Sequence, residues 1–339
     1  MPGEFEIISK VRSLASVGKE VLAGIGDDAA VIATGTEEDL LACCDLCVEG
    51  IHFRREWAAP SAIGHKALAV NISDIAAMGG VPRYAMVSIA IPQGTPGGFV
   101  DELFTGLFGL AQAHGISIVG GDTSGSPGPL FIDVSLIGGC SKGKSVRRSG
   151  ARPGDLIFVT GSLGGSAQGL RLLETGYGAP AGTEGGRDQE LDHARQQLID
   201  RQLRPEPRLT VGQALGRSRL ATAMIDVSDG LVRDLGHILE ESDAGAVLTA
   251  DAIPVDPNLL HLSREEASID PLDLALHGGE EYELVFTSTS AQHAEVERLS
   301  RELALPITLI GEITAGAGLK LQRKNRVEVL LPSGFEHSI

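Results

Sequence analysis

The chain has 339 residues, and 45 Asp and Glu outweigh 28 Lys and Arg to leave a formal charge of −17. Such acidity, with aromatics at 4% and a single Trp, excludes a binder of phosphate backbones or stacked bases. Hydrophobic residues at 42% can build a sizeable core, but no run of about 18 apolar residues offers a membrane span, and 44 glycines without a three-residue period exclude collagen.

The length fits two domains of roughly 150 residues each. Residues 5–14 read as an amphipathic helix. Glu4, Glu6, Lys10 and Arg12 punctuate this first stretch, which therefore does not read as a signal peptide. Strands are expected over 29–33 and 40–48, then a long apolar helix over 61–78. A strand over 83–91, stopped by Pro92 and Gly94, leads to a helix over 99–114 and strands over 116–119 and 130–137. Gly and Pro break both periods across 149–154, a natural joint. Beyond it come a strand at 156–160, a helix at 166–174, and a Gly-rich charged loop at 175–188. Helices at 191–201 and 209–216, a strand at 223–227 and a helix at 231–241 follow. Strands at 282–286 and 307–313 flank a helix around 291–303. Alternation in two halves predicts an α+β (α/β alternating) fold with domains at 1–150 and 151–339.

Four cysteines, Cys43, Cys44, Cys47 and Cys140, are expected as reduced thiols in a cytoplasmic protein. Cys44 and Cys47 make a C-x-x-C, but no second pair completes a zinc site, and 40–44 reads as a buried strand. Gly138 to Ser145 matches the P-loop pattern G-x-x-x-x-G-K-[ST]. A P-loop opens a helix whose amides hold phosphate. Here Gly150 and Pro153 follow too soon, so a basic hairpin is expected instead. No G-x-S-x-G nucleophile turn occurs.

Aspartates beside glycines carry the stronger signal: Gly26-Asp27-Asp28, Cys44-Asp45, Ser73-Asp74, Gly120-Gly121-Asp122, Asp226-Val227-Ser228-Asp229-Gly230 and Gly278-Gly279-Glu280-Glu281. Each alone could be a turn, and Asp229 could cap the helix after it. Asp74 is different, because it lies on an apolar helix with no cation within one turn. A buried carboxylate needs a partner charge or a metal, and Mg²⁺ takes such oxygen ligands. Arg147, Arg148 and Arg152 cluster at the joint, where they could meet phosphate or simply solvent. His52 could orient a substrate or be structural.

In this order, the blocks Gly24–Ala30, Glu49–Phe53, Lys66–Gly80, Gly120–Thr123, Arg148–Gly150, Asp226–Leu231 and Gly278–Leu284 resemble the thiamine-monophosphate kinase family, in the aminoimidazole-ribonucleotide-synthetase-like superfamily. The resemblance covers nearly the whole chain. It implies the two-domain synthetase-like fold, with the N-terminal sheet domain forming a homodimer interface and the C-terminal α/β domain completing the site. It implies phosphorylation of thiamine monophosphate by ATP, helped by several Mg²⁺ ions, with no nucleic-acid or membrane partner. Carried over, Asp28, Asp45, Asp74, Asp122, Asp226 and Asp229 are metal ligands. Phe104, Gly121, Asp122, Arg148 and Ser228 contact nucleotide. His52, Glu280 and Phe335 contact the thiamine phosphate. Asp28, Asp74, Asp122 and Arg148 are the catalytic set. Cys43 and Cys44 stand where the family often has Ser-Thr, so a backbone carbonyl would serve the metal there. Another ATP-dependent superfamily enzyme and a non-catalytic nucleotide-binding scaffold remain as alternatives.

Overall fold

Two mixed β-sheets, one from each half of the chain, frame the molecule in the computed structural model, which describes residues 3–177, 189–324, 326–331 and 333–336. The first half runs α1 (Glu4–Leu14), β1 (Val21–Ala23), β2 (Ala30–Ala33), β3 (Glu38–Val48), α2 (Pro60–Ala77), β4 (Val81–Pro92), α3 (Gly97–Ala113), β5 (Ser117–Ser126) and β6 (Phe131–Ser141). Its strands take the order β1-β2-β3-β6-β4-β5, and β4 and β5 run parallel. Helix α2 is apolar on most sides, and 14 of its 18 residues are buried, so it is the central helix of the core rather than a surface one.

The second half contributes β7 (Asp155–Thr160), α4 (Gly165–Glu174), α5 (Gln189–Leu203), α6 (Leu209–Ser218), β8 (Ala223–Asp226), α7 (Leu231–Ser242), β9 (Gly245–Thr249), α8 (Pro257–Glu265), α9 (Pro271–His277), β10 (Leu284–Thr289), α10 (His293–Leu303), β11 (Ile307–Thr314), β12 (Gly318–Arg323) and β13 (Arg326–Leu330). The second sheet has the order β13-β12-β9-β11-β7-β10-β8. Helix α6 lies against α2 so closely that a Cβ on Gly212 would stand 2.2 Å from the Ala76 carbonyl oxygen. That approach seats the second half on the helix that carries Asp74. No helix among the described residues is long and apolar enough to cross a membrane.

Most expected elements are present, with ends moved by a few residues. The strand expected at 116–119 is the main correction. It continues through Gly120-Gly121-Asp122 to Ser126, because β5 pairs with β4 along that length instead of turning. Gly121 is needed there, since its φ is +153° and a Cβ would meet the Val87 carbonyl oxygen at 1.8 Å. Most of the loop expected at 175–188 lies outside the described residues.

The P-loop match falls on the end of β6 and a turn, and the expected hairpin is not formed, because the chain runs on to β7 in the second sheet instead of pairing back. Gly143 N donates to Asp39 Oδ2 at 2.7 Å, and no helix follows. Lys144→Ala is therefore expected to leave turnover within about twofold of the parent, measured under saturating ATP. Abolished activity would restore the P-loop.

Candidate active site

A cavity of about 630 Å³ opens between the two halves, and eleven carboxylates line it against three cations, Lys66, Arg148 and Arg171. At its floor four elements converge. Asp28 lies just before β2, Asp45 on β3, Asp74 in the last turn of α2, and Asp226 at the end of β8. Asp28, Asp74 and Asp226 each present an oxygen within 4.8 Å of the others. Asp74 as a residue is only half-buried, since α2 turns it onto the cavity while its apolar neighbours face the core.

Such crowding of like charge disfavours ionisation. Burial, then Asp45 and Asp226, push the Asp74 carboxyl well above the ordinary carboxylate range. Burial, then Asp28, push Asp226 up to about 8, although Ser73 Oγ donates to its Oδ2 at 2.5 Å. Asp45 is pushed up to about 6, mainly by burial. Burial also raises Asp28, opposed by the Arg148 guanidinium, whose Nη2 is 2.6 Å from Asp28 Oδ1. Asp28 Oδ2 is buried with no hydrogen-bond partner. An orphaned carboxylate oxygen among converging acids fits a hard divalent cation with oxygen ligands.

Arg148, Ser228 and Asp229 line the same cavity. The N-cap position of α7 falls on Gly230 rather than Asp229. The Asp234 carboxylate accepts from the backbone N–H groups of Ser228, Asp229 and Gly230, each at 3.0 Å. That fixes the loop that would meet a nucleotide.

His52, Glu280 and Phe335 also reach the cavity. His52 Nδ1 accepts from Val48 N at 3.0 Å, which places the proton of the neutral ring on Nε2. Phe335 is anchored through its N–H, which donates to the Asp229 carbonyl at 3.0 Å. Glu280 lies in a loop held in an uncommon conformation, with φ of +60° at Glu280 and +53° at Tyr282. Non-Gly residues persist there only when surroundings impose it. Arg208 clamps Glu283 through two bonds of 2.7 and 2.6 Å, and Arg201 holds Glu281 at 3.0 Å.

Four candidates stand apart from this cavity. Gly121 and Asp122 are exposed on β5, and Phe104 on α3 packs against the first core. The register across the sheet aligns Asp122, Ser88, Asp133 and Leu46 on one outward face. Cys43 points the other way, its Sγ 3.6 Å from the Asn71 carbonyl oxygen. Burial, then Asp74 and Asp45, push its thiol well up, and a thiol is a soft donor that suits Mg²⁺ less than oxygen does. Cys44 does line the cavity, but its thiol is also raised, by burial and then Asp133.

Lys66, like Asp234, is a cavity residue that motif reasoning passed over. A lone buried Lys on an apolar helix demands a partner, and that was the available signal.

Residues 26–140 match the AIR synthase related protein N-terminal domain, and residues 152–324 match its C-terminal domain. The chain is 35% identical over 338 residues to thiamine-monophosphate kinase of Bacillus subtilis, covering 98% of this chain and 99% of that one. The chain belongs to the thiamine-monophosphate kinase family. The Escherichia coli K12 relative is 36% identical, with 99% of this chain and 98% of the relative covered. A solved structure described as AaThiL complexed with AMPPCP and TMP superposes with a TM-score of 0.83, at 31% identity and 99% and 97% coverage. The two-domain synthetase-like fold of the family is thus the fold found here, an α+β arrangement around two sheets.

Proposed function

We propose that this chain transfers the terminal phosphoryl group of ATP to thiamine monophosphate, giving thiamine diphosphate and ADP. The observation that carries the reading is the meeting of Asp28, Asp74 and Asp226 in one cavity with His52 and Glu280. Full-length similarity to thiamine-monophosphate kinases supports the choice of acceptor. The attacking atom is a terminal phosphate oxygen of the acceptor, whose second pKa is about 6, so at neutral pH it needs no strong base from the protein. The task left to the protein is to seat two polyanions in line.

We assign Asp28, Asp45, Asp74 and Asp226, with Asp229 beside them, to holding Mg²⁺. Bound there, the metal supplies positive charge that neutralises the phosphates and the developing charge of the transfer. Arg148, held by Asp28, faces the nucleotide from the joint. The Ser228–Gly230 loop, pinned by Asp234, offers it polar contacts. His52 donates from Nε2, Glu280 accepts, and Phe335 supplies an aromatic face, a set suited to a cationic, amine-bearing phosphate ester.

We further propose a homodimer formed through the outward face of the first sheet. Leu46, Tyr84 and Met86 are exposed there beside Asp122 and Gly121. Pairing of that face would bring Gly121 and Asp122 toward a nucleotide from outside the cavity, whereas Phe104, on α3 against the core, lies off that face. Four free thiols support a reducing, cytoplasmic setting.

The deciding experiment incubates the chain with Mg-ATP and thiamine monophosphate and looks for thiamine diphosphate. ATP binding without turnover would favour a scaffold, and transfer only to another acceptor would favour a different superfamily enzyme. Light scattering gives the mass in solution, and a monomer would remove the dimer proposal.

A further inference from the structure

We propose that Lys66, assisted by Gln202, is a positioning residue that ties the two acceptor contacts, His52 and Glu280, into one rigid unit across the joint between the halves. The proposal rests on reading those two residues as acceptor contacts.

Lys66 is 4% exposed and lies on α2, in the first half. An ammonium so placed must spend its donors on protein groups. Its Nζ lies 2.6 Å from Glu280 Oε1 and 3.1 Å from the His52 carbonyl oxygen. One cation thus bridges a main-chain atom of the first half and a side chain of the second. The His52 carbonyl is held by Lys66 while its ring is held by Val48 N, so both ends of the residue are fixed.

The other Glu280 oxygen, Oε2, accepts from Gln202 Nε2 on α5. Gln202 Oε1 in turn accepts from Ser166 Oγ, which fixes the orientation of the amide. Glu280 N donates to the Ser228 carbonyl at 2.7 Å, joining this unit to the nucleotide loop. The strained backbone around Glu280 sets where the carboxylate starts, and Lys66 and Gln202 set where it ends. A carboxylate with both oxygens directed in this way loses little freedom when the acceptor arrives, which favours acceptor binding over nucleotide binding.

The test compares Lys66→Met, Gln202→Met, Glu280→Gln and the Lys66→Met/Glu280→Gln double variant in the full chain. Readouts are kcat, KM for each substrate, and affinity for a non-hydrolysable ATP analogue. Lys66→Met is expected to raise the acceptor KM by about tenfold or more, and Gln202→Met by about threefold or more, with ATP-analogue affinity within about twofold. The double variant is expected to be no worse than Glu280→Gln by more than about threefold, because both act through one carboxylate. Equal losses for both substrates, or fully multiplying effects, would overturn the proposal. Were Lys66→Met not to fold, Gln202→Met decides on the same criteria. Should Glu280→Gln leave the acceptor KM unchanged, the acceptor reading itself falls, and this proposal with it. Should Glu280→Gln raise that KM while neither Lys66→Met nor Gln202→Met does, only the positioning role falls.

Discussion

Replacing Asp74 by Asn is expected to slow turnover at least about 100-fold, a loss of roughly 2.7 kcal/mol of transition-state stabilisation, without unfolding the protein. Asn keeps the shape of the side chain but cannot supply a full negative charge. In the metal-free protein that charge is already unwelcome, because burial, Asp45, Asp226 and Asp28 all push the Asp74 carboxyl toward its protonated form. Removing it relieves like-charge crowding, so the melting temperature in the absence of divalent cation should stay level or rise. The cost falls on the loaded site, which loses one of its converging oxygens. Paired measurements of kcat and of thermal unfolding, with and without Mg²⁺, separate the two effects. Near-normal turnover would sink the metal assignment. A collapse in metal-free melting temperature would mean that Asp74 is structural.

Asp74 was legible in the sequence because α2 is apolar on nearly every side, and a carboxylate on such a helix has few explanations. The same logic applies to Lys66, one helix face away, yet its partner Glu280 lies 214 residues on, and no local spacing links them. Asp234 was illegible for another reason. Its three N–H partners all come from the loop before it, and a carboxylate in a first helical turn looks ordinary in any sequence. Gly121 and Asp122 read as a turn because Gly-Gly-Asp favours one. Only strand pairing with β4 shows that the chain runs straight.

Some of what was missed did carry a signal. Helices α8 and α9 both open on Asp-Pro, at Asp256-Pro257 and Asp270-Pro271. Each Asp caps its helix by accepting two backbone N–H groups. Pro at the first helical position after a capping Asp is a readable start. Strands β12 and β13 offered less. In β12 only Leu319 and Leu321 alternate onto a buried face, and in β13 the exposed Val327 and Val329 alternate with charged residues without marking one. The cavity as a whole was legible as chemistry but not as geometry. Its floor draws on four separate segments, and the seating of α6 against α2, with Ser73 bonded to Asp226, brings Asp226 to Asp74.

A metal-free sample is expected to lose stability as pH rises from about 6.5 to about 8, and Mg²⁺ to reverse this. In an unfolded chain carboxylates titrate near 4. In the fold Asp45 is pushed up to about 6 and Asp226 to about 8, with Asp28 and Asp74 also raised. From about pH 4 upward the folded state therefore keeps protons that the unfolded state has released. Taken alone, these four groups make stability fall with pH across that interval, up to about 8.

Other groups share the interval. Burial, then Arg148, lower His237 to about 4, and burial also lowers His65 and His114. A histidine kept neutral by the fold has the opposite sign, so it adds stability as pH rises from about 4 to about 6.5. Burial raises Glu281 to about 7, which carries the same sign as the cluster, but its partner is Arg201 rather than the cavity floor.

From about pH 6.5 to about 8 the histidines no longer oppose the trend but Glu281 still adds to it, so the clean quantity is the difference made by the cation. Divalent binding displaces the protons, so its stabilisation should grow with pH. At saturating Mg²⁺ the gain should approach roughly 5–10 °C in Tm at pH 8 and fall toward zero near pH 5. Calorimetry in chelator and in Mg²⁺ at pH 5, 6.5 and 8 measures it. Asp74→Asn should flatten the pH dependence and shrink the Mg²⁺ gain together. A gain that is the same at all three pH values would show that the cation binds somewhere other than these four carboxylates.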